Sequence, residues 1–293
     1  MHPDFVSLLV HPRTGEPLVP GRSGNVLTTA DGGSSFRVLE HVPLLLPDDE
    51  DNDALFNYRE HYEQDAKAFD YFEDFILSFQ IENNRLHDHI LAEIPKTAQL
   101  VLDVGCGGAW LAGKLLPKGK QVISMDISTT NPVKALKAYP SAHHYGLVAD
   151  VFSLPLREQT VDCIVASEII EHVKDPGLFI EQLLRVLKPG GKLIITTPHD
   201  ELIQQSLCIH CNRLTPHNAH LHSFTREKIS ALVPEAAGAT ATRIFNSKLL
   251  LFFRLHMKFR NMGFGLWRII DKAAIKLTGD KASRLMLTVI KNG

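Results

Sequence analysis

From Leu100 onward, short apolar runs alternate with stretches of helical spacing. Residues 100–104, 121–125, 145–148, 161–166 and 192–197 are compact and rich in β-branched side chains, the pattern of strands buried on both faces. Residues 111–116, 132–138 and 178–187 carry apolar positions at helical spacing between them. Alternating β and α predicts an α/β fold, a parallel sheet with helices on both faces.

The flanks read differently. Residues 1–47 place the turn signals Arg13-Thr14-Gly15, Pro20-Gly21 and Asp31-Gly32-Gly33 between short apolar runs, which predicts a small β-rich module. A unit of that size makes too little core to stand alone, so it is expected to pack on its neighbour. Between residues 48 and 74 there are eleven acids against Arg59 and Lys67. Residues 48–53 read as a solvated linker. From Ala54 the aromatics Phe56, Tyr58, Tyr62, Phe69, Tyr71, Phe72 and Phe75 predict a helix, and a second over 82–94 stops before Pro95. Residues 48–95 are thus a packed helical lead-in rather than a cofactor-binding segment. No repeat or low-complexity tract interrupts the chain.

Composition narrows the class. The 293 residues suffice for about two domains, and 44% hydrophobic residues supply a core without disulfide staples. A net charge of −2 argues against a dedicated nucleic-acid binder. No run is long and apolar enough to span a membrane, and Met1-His2-Pro3-Asp4 does not open a secretory signal. Four cysteines make no disulfide framework, so a reducing compartment, the cytoplasm, is expected.

The sharpest chemical signal is Leu100-Val101-Leu102-Asp103-Val104-Gly105-Cys106-Gly107-Gly108-Ala109-Trp110, a strand running into a glycine-rich turn and a helix. Such glycines let backbone approach a ligand closely, and in open parallel sheets ligands sit beyond the strands' carboxyl ends. A dinucleotide site wants a third glycine where Trp110 stands, and no Gly-Lys-Ser/Thr follows for a P-loop. The turn suits a nucleoside. Asp126 ends the next strand, where its carboxylate can take ribose hydroxyls, and Asp150 follows the third, where it can take an exocyclic amine. Each acid alone would pass as a helix cap.

Residues 96–198 resemble a class I S-adenosylmethionine-dependent methyltransferase of the type 11 kind. Leu102-Asp103-Val104-Gly105-Cys106-Gly107 resembles that family's first motif, and Asp126 its ribose acid. Ala149-Asp150-Val151 with Leu154-Pro155 resembles its adenine-edge motif. The fourth-strand segment is matched from Val161 through Ser167-Glu168 and Glu171-His172-Val173-Lys174-Asp175-Pro176, and the turn before strand five by Arg185-Val186-Leu187-Lys188-Pro189-Gly190-Gly191. One departure is Ala109, where the family often has glycine.

The resemblance implies a Rossmann-like, doubly wound, mostly parallel seven-stranded sheet, with residues 284–290 as an antiparallel last strand. It implies S-adenosylmethionine held by Asp103, Gly105, Cys106, Gly107, Asp126, Ile127, Asp150, Val151 and Ser167. Methyl transfer from a sulfonium then proceeds by in-line displacement, in which positioning supplies much of the catalysis. His172 and His199 follow predicted strands and are the candidate bases, with a packing role beside Glu171 as the alternative for His172. The acceptor expected is a small molecule, glycan or lipid-linked metabolite, with no nucleic acid. The competing readings are a non-catalytic S-adenosylmethionine-binding scaffold and a nicotinamide-dependent dehydrogenase, which Trp110 disfavours.

Three further segments carry expectations. Near 199–224 an insertion places Cys208-x-x-Cys211 before His217, His220 and His222. Cys208, Cys211, His220 and His222 fit a compact zinc set; the alternative is an active-site lid with buried cysteines. Residues 244–293 carry ten bases against Asp271 and Asp280. Their apolar segment at about 248–280 reads either as an interfacial helix at an anionic membrane or as a pocket cover with solvated bases. Residues 1–47 resemble the small Trm112-like module, through Leu8-Leu9-Val10-His11-Pro12 and Val42-Pro43-Leu44-Leu45-Leu46-Pro47. His11 replaces its first zinc cysteine and no cysteine precedes Cys106, so docking in cis on residues 96–293 is expected there, without metal.

Overall fold

The computed structural model describes residues 1–22, 24–47, 58–68, 70–72, 76–207 and 214–293. The chain opens with a single turn of helix, α1 (Pro3–Val6), started by Pro3 at its first position and by the His2 ring, which accepts from the Asp4 amide. Four short strands follow: β1 (Leu18–Pro20), β2 (Val26–Thr29), β3 (Ser35–Leu39) and β4 (Val42–Leu45). Each pairs antiparallel with the next. Two helices, α2 (Tyr58–Ala68) and α3 (Leu77–Leu91), lead into the central layer.

That layer is built from β5 (Leu100–Val104), α4 (Trp110–Leu115), β6 (Gln121–Asp126), α5 (Thr130–Ala138), β7 (His144–Ala149), β8 (Val161–Ser167), α6 (Pro176–Val186) and β9 (Leu187–Pro198). Strands β5 to β9 run parallel, and every residue of β5 and β7 is buried. Burial on both faces is why these strands read as unbroken apolar runs. Successive residues still divide between two cores. Leu102, Ile123 and Ile164 face one with Phe179 and Leu183 of α6, while Val101, Val122 and Cys163 face the other with Leu111 and Leu115 of α4.

Beyond β9 lie the hairpin β10 (Gln205–Leu207) and β11 (Leu214–Pro216), then α7 (Arg226–Ser230) and β12 (Gly238–Ser247). Three helices follow, α8 (Lys248–Phe252), α9 (Leu255–Lys258) and α10 (Phe264–Leu277), before β13 (Ala282–Lys291). Strand β13 inserts antiparallel between β9 and β12.

The sheet has eleven strands, in the order β1-β2-β3-β4-β7-β6-β5-β8-β9-β13-β12, seven from residues 96–293 and four from residues 1–47, which were expected to form a module of their own. The two are joined by β4, which pairs parallel with β7 through Leu44–Val148 and Leu45–Ala149 and so continues the central sheet into residues 1–47. Phe5 stacks on Tyr145 of β7 at 4.8 Å, and Phe5, Leu9, Leu27 and Leu45 belong to the main core.

Two other readings are corrected. The helical faces of 249–275 are three separate helices, because Arg254 takes a left-handed conformation (φ 52°) and Gly263 caps a new start. Strand β12 was not anticipated, since its first half, Gly-Ala-Thr-Ala-Thr, is mostly exposed and carries no apolar alternation. Among the described residues no helix is long and apolar enough to cross a membrane.

Candidate functional site

The order of β6, β5 and β8 puts the reversal of winding at β5, and the crevice beyond its carboxyl end is where an open α/β sheet binds ligands. The turn there is held by Cys106 N donating to Met125 O (2.9 Å) and Ala109 N to Cys106 O (2.7 Å). Gly105 (φ 68°) and Gly107 (φ 45°) lie in the left-handed region. A Cβ on Gly105 would stand 2.2 Å from Ile169 Cδ1, so only bare backbone fits. Ala109 is also left-handed (φ 51°), the physical reason glycine suits that position.

Asp103 is buried, and its Oδ2 has no hydrogen-bond partner among the described residues. Burial, with the Asp126 charge adding to it, pushes its carboxyl well above the ordinary range. Asp126, at the end of β6, accepts from Ser128 N (2.9 Å), Asn131 Nδ2 (3.0 Å) and, weakly, Gly107 N (3.4 Å). Burial raises its pKa too, and these donors offset part of the rise. Ile127 follows it, half-buried. Cys106 is buried with its thiol pushed up by burial and by both acids. Asp150 caps the 3-10 turn Val151–Ser153 through Phe152 N (3.0 Å), and its Oδ2 lies 3.4 Å from Arg59 Nη2. Ser167 ends β8 with its hydroxyl 3.0 Å from that of Thr196.

Sequence reasoning missed the cover of this crevice. Helix α2 and the residues after it, read as a packed lead-in, reach Asp150, the loop after Asp126 and the glycine turn. Arg59 meets Asp150; Glu63 accepts from Thr129 N (2.7 Å) and Thr129 Oγ1 (2.9 Å). A Cβ on Gly108 would meet Tyr71 O at 2.3 Å, and the Tyr71 hydroxyl donates to Asp65 at 2.5 Å. Burial first, then Glu171, Asp65 and Asp126, pushes the Tyr62 phenol up, and its ring lies edge-on to that of His172 with centres 6.0 Å apart. The signal available in the sequence was aromatic residues at helical spacing among acids, a pattern shared with ordinary packing.

At that far end Glu171, His172 and His220 bring one donor atom each to within 4.8 Å of one another. His172 Nδ1 is 3.2 Å from Ala219 O, and His220 Nδ1 is 2.5 Å from Glu201 Oε2. The Glu171 carbonyl accepts from Leu221 N (2.7 Å) and His222 N (3.2 Å), which ties residues 220–222 to this spot. Glu168 (φ 58°) pairs with Arg284 at 2.9 Å. Burial raises the carboxyl of Glu168 against the pull of Arg284, and raises Glu171 well above the ordinary range, with Glu168 adding to it.

The other predicted residues are placed elsewhere. His199 continues β9, its amide on Ser283 O (3.0 Å) and its pKa lowered by burial; it is outside the Glu171 group. His220 and His222, expected to share one ion, part company around the Glu171 carbonyl. His222 Nε2 engages Val173 O at 2.9 Å instead. Cys208 and Cys211 lie outside the described residues, as do residues 48–57 and Phe69, Glu73, Asp74 and Phe75. A surface depression of about 310 Å³ near Asp4, Leu100, Gln121 and Thr160 opens at the strands' amino ends, opposite the crevice.

Comparison with known proteins agrees with this geometry. Residues 102–195 match the family model described as a methyltransferase domain. A Mycobacterium tuberculosis protein named as a probable S-adenosylmethionine-dependent methyltransferase is 29% identical over 141 residues, covering 48% of each chain. A ubiquinone biosynthesis O-methyltransferase of Xylella fastidiosa is 31% identical over 140 residues, 45% of this chain and 57% of that one. The chain thus spans about half the length of the curated relatives it matches. In fold it is similar to an S-adenosylmethionine-dependent methyltransferase from Mesorhizobium loti (TM-score 0.53, 17% identity, 72% of this chain and 100% of that one).

Proposed function

Residues 102–195 being a class I S-adenosylmethionine-dependent methyltransferase domain, we propose that the chain moves a methyl group from S-adenosylmethionine to an oxygen or nitrogen of a small-molecule, glycan or lipid-linked acceptor. The observation that carries this is three acids, Asp103, Asp126 and Asp150, at the ends of three adjacent strands around bare glycine backbone. In this reading Asp126 takes the ribose hydroxyls, exchanging its long Gly107 contact for them. Asp103, lacking a partner at Oδ2, meets the methionine end, whose ammonium is the natural counter-charge for a buried carboxylate. Asp150 faces the adenine amine once Arg59 yields. Cys106, Ile127, Val151 and Ser167 line the same crevice.

The sulfonium is already activated, so these residues act by orientation and by excluding water. Relatives named for O-methylation in ubiquinone biosynthesis support an oxygen nucleophile and a lipid-soluble acceptor. So does the surface beside the far end of the crevice. Ile76, Leu77, Phe79, Phe252 and Phe253 are exposed there, and Ser78 Oγ joins His256 Nε2 at 3.1 Å, tying the two segments together. Residues 1–47 act, on this reading, as a built-in counterpart of the Trm112-like activators.

Titration calorimetry with S-adenosylhomocysteine, followed by mass spectrometry of reactions with candidate hydroxyl and amine acceptors, tests the proposal. One ligand per chain and a product 14 Da heavier is the expected result. No affinity for either S-adenosylmethionine or S-adenosylhomocysteine overturns it; affinity without transfer to any acceptor favours a binding scaffold.

A further inference from the structure

We propose that Glu171, His172 and His220 hold a divalent metal ion at the acceptor end of the crevice, where it binds the hydroxyl that is to be methylated. The inference deepens the methyl-transfer reading and rests on it for the ion's role, though not for its binding.

Four observations converge. The three side chains bring donor atoms within 4.8 Å of one another, and Glu171 and His220 are buried. Glu171 Oε2 accepts from Thr197 Oγ1 (3.0 Å), while Oε1 is buried with no hydrogen-bond partner among the described residues. A bare carboxylate oxygen in a 1%-exposed side chain is costly unless a cation meets it. Both imidazoles are held by an outer partner: His172 Nδ1 lies 3.2 Å from Ala219 O and His220 Nδ1 2.5 Å from Glu201 Oε2. A carboxylate or carbonyl on the distal nitrogen is the usual outer partner of a metal-bound histidine.

The local charge balance points the same way. Glu82, Glu168, Glu171 and Glu201 surround one guanidinium, Arg284, which reaches Glu168 at 2.9 Å and Glu82 at 3.7 Å. The cluster therefore has carboxylates in excess. Glu168 sits in a left-handed conformation, the kind of backbone strain that persists where surrounding structure fixes a functional group. Two nitrogens and a carboxylate suit Mn²⁺, Fe²⁺ or Zn²⁺ better than Mg²⁺ or Ca²⁺.

The place suits the chemistry. Ile169, between Glu168 and Glu171, packs on Gly105 of the cofactor turn, and Tyr62 lies edge-on to His172 with ring centres 6.0 Å apart. A hydroxyl bound to the ion loses its proton to water more readily. The oxygen lone pair then forms the new O–C bond as the methyl–sulfur bond breaks. The breaking bond's pair stays on sulfur, which leaves as the neutral thioether. Glu168 and Glu171 together balance the ion's two charges, so the sulfonium is not repelled. His172 is thus a ligand rather than the base expected from the sequence.

The test titrates the full, chelator-stripped chain with Mn²⁺ alone, by calorimetry and by spin-echo resonance, which reads imidazole nitrogens on the ion. One Mn²⁺ per chain with two nitrogen couplings is expected. Glu171→Gln and His220→Ala should abolish it, and Glu201→Gln, outside the ligand set, should weaken it about 10–100-fold. Replacing Cys208 and Cys211 by Ser should leave it unchanged. Absent binding, or binding that survives Glu171→Gln or follows the cysteines, overturns the proposal. If the ligand variants fail to fold, the nitrogen couplings of the unaltered chain and the Glu201→Gln titration decide. S-adenosylhomocysteine binding on the same samples separates the two readings: where no Mn²⁺ binds, retained affinity for it sinks only this inference, and lost affinity sinks methyl transfer as well.

Discussion

Asp126 carries the largest single share of the proposed cofactor grip. It is buried with Ser128 N and Asn131 Nδ2 already fixing its carboxylate, so on this reading it meets the ligand by giving up only its long Gly107 contact. Asp126→Ala should weaken S-adenosylhomocysteine binding by about tenfold to a hundredfold, the range for hydrogen bonds to a charged group, in a calorimetric titration. Gly105→Ala strikes at geometry instead. It sets a side chain at φ 68° against Ile169 Cδ1, so stability should fall by about 1–3 kcal/mol in denaturant unfolding, with cofactor binding weakened alongside. These residues were legible because glycine spacing and acids after apolar runs are local signals. Glu171 and His220 were not joined in advance: 49 positions separate them, and the conspicuous Cys208 and Cys211 drew the nearby histidines into a different set.

Helices behave less predictably than their residues suggest. Helix α2 was legible as a helix and opaque as a cover, since the contacts that close it over the crevice, Arg59 with Asp150, Tyr62 with His172 and Glu63 with Thr129, are with residues far along the chain. Helix α3 holds His89, 1% exposed between Phe245 and Phe264, with neither ring nitrogen hydrogen-bonded among the described residues. Burial first, then Arg243 and Arg268, pulls its pKa down to about 3. An unfolded histidine takes its proton near pH 6.5, so between about 6.5 and 3 the unfolded chain binds the extra proton. Stability is present above that window and is lost as pH falls through it, by about 1 kcal/mol per pH unit for this group. Urea unfolding at pH 7 and pH 5 should show the loss, and His89→Phe should lessen it. On α8 to α10, the exposed Phe252, Phe253, Leu266, Ile269 and Leu277 alternate with bases, and the interfacial reading of this segment, against that of a pocket cover, predicts binding to anionic lipid. Flotation with phosphatidylserine vesicles should carry the chain upward, and replacing Phe252 and Phe253 by Ala should leave it at the bottom; equal behaviour of both would remove the membrane reading.

At the scale of the whole molecule, alternation of strand and helix predicted the parallel layer, because burial on both faces writes itself into the sequence as unbroken apolar runs. The joining of residues 1–47 to that layer left no such mark: β4 pairs by backbone, through two residue pairs, with a strand about a hundred positions away. Removing residues 1–47 would bare the β7 edge and strip Phe5, Leu9, Leu27 and Leu45 from the core. The remaining chain should melt at least about 5 °C lower, if it stays in solution, by differential scanning calorimetry. Unchanged melting would show the pairing to be incidental.

The same pairing has a consequence for biosynthesis. The first four strands leave the ribosome well before Ala149, the residue that Leu45 will sit against, has been added. At ordinary elongation rates of about 5–20 residues per second, that interval lasts roughly 5–20 seconds. Throughout it the nascent hairpins present an unclaimed edge, so a segment made before its partner waits to find its place, and a translational slowdown ahead of the Ala149 codon would lengthen its exposure to chaperones and to other chains.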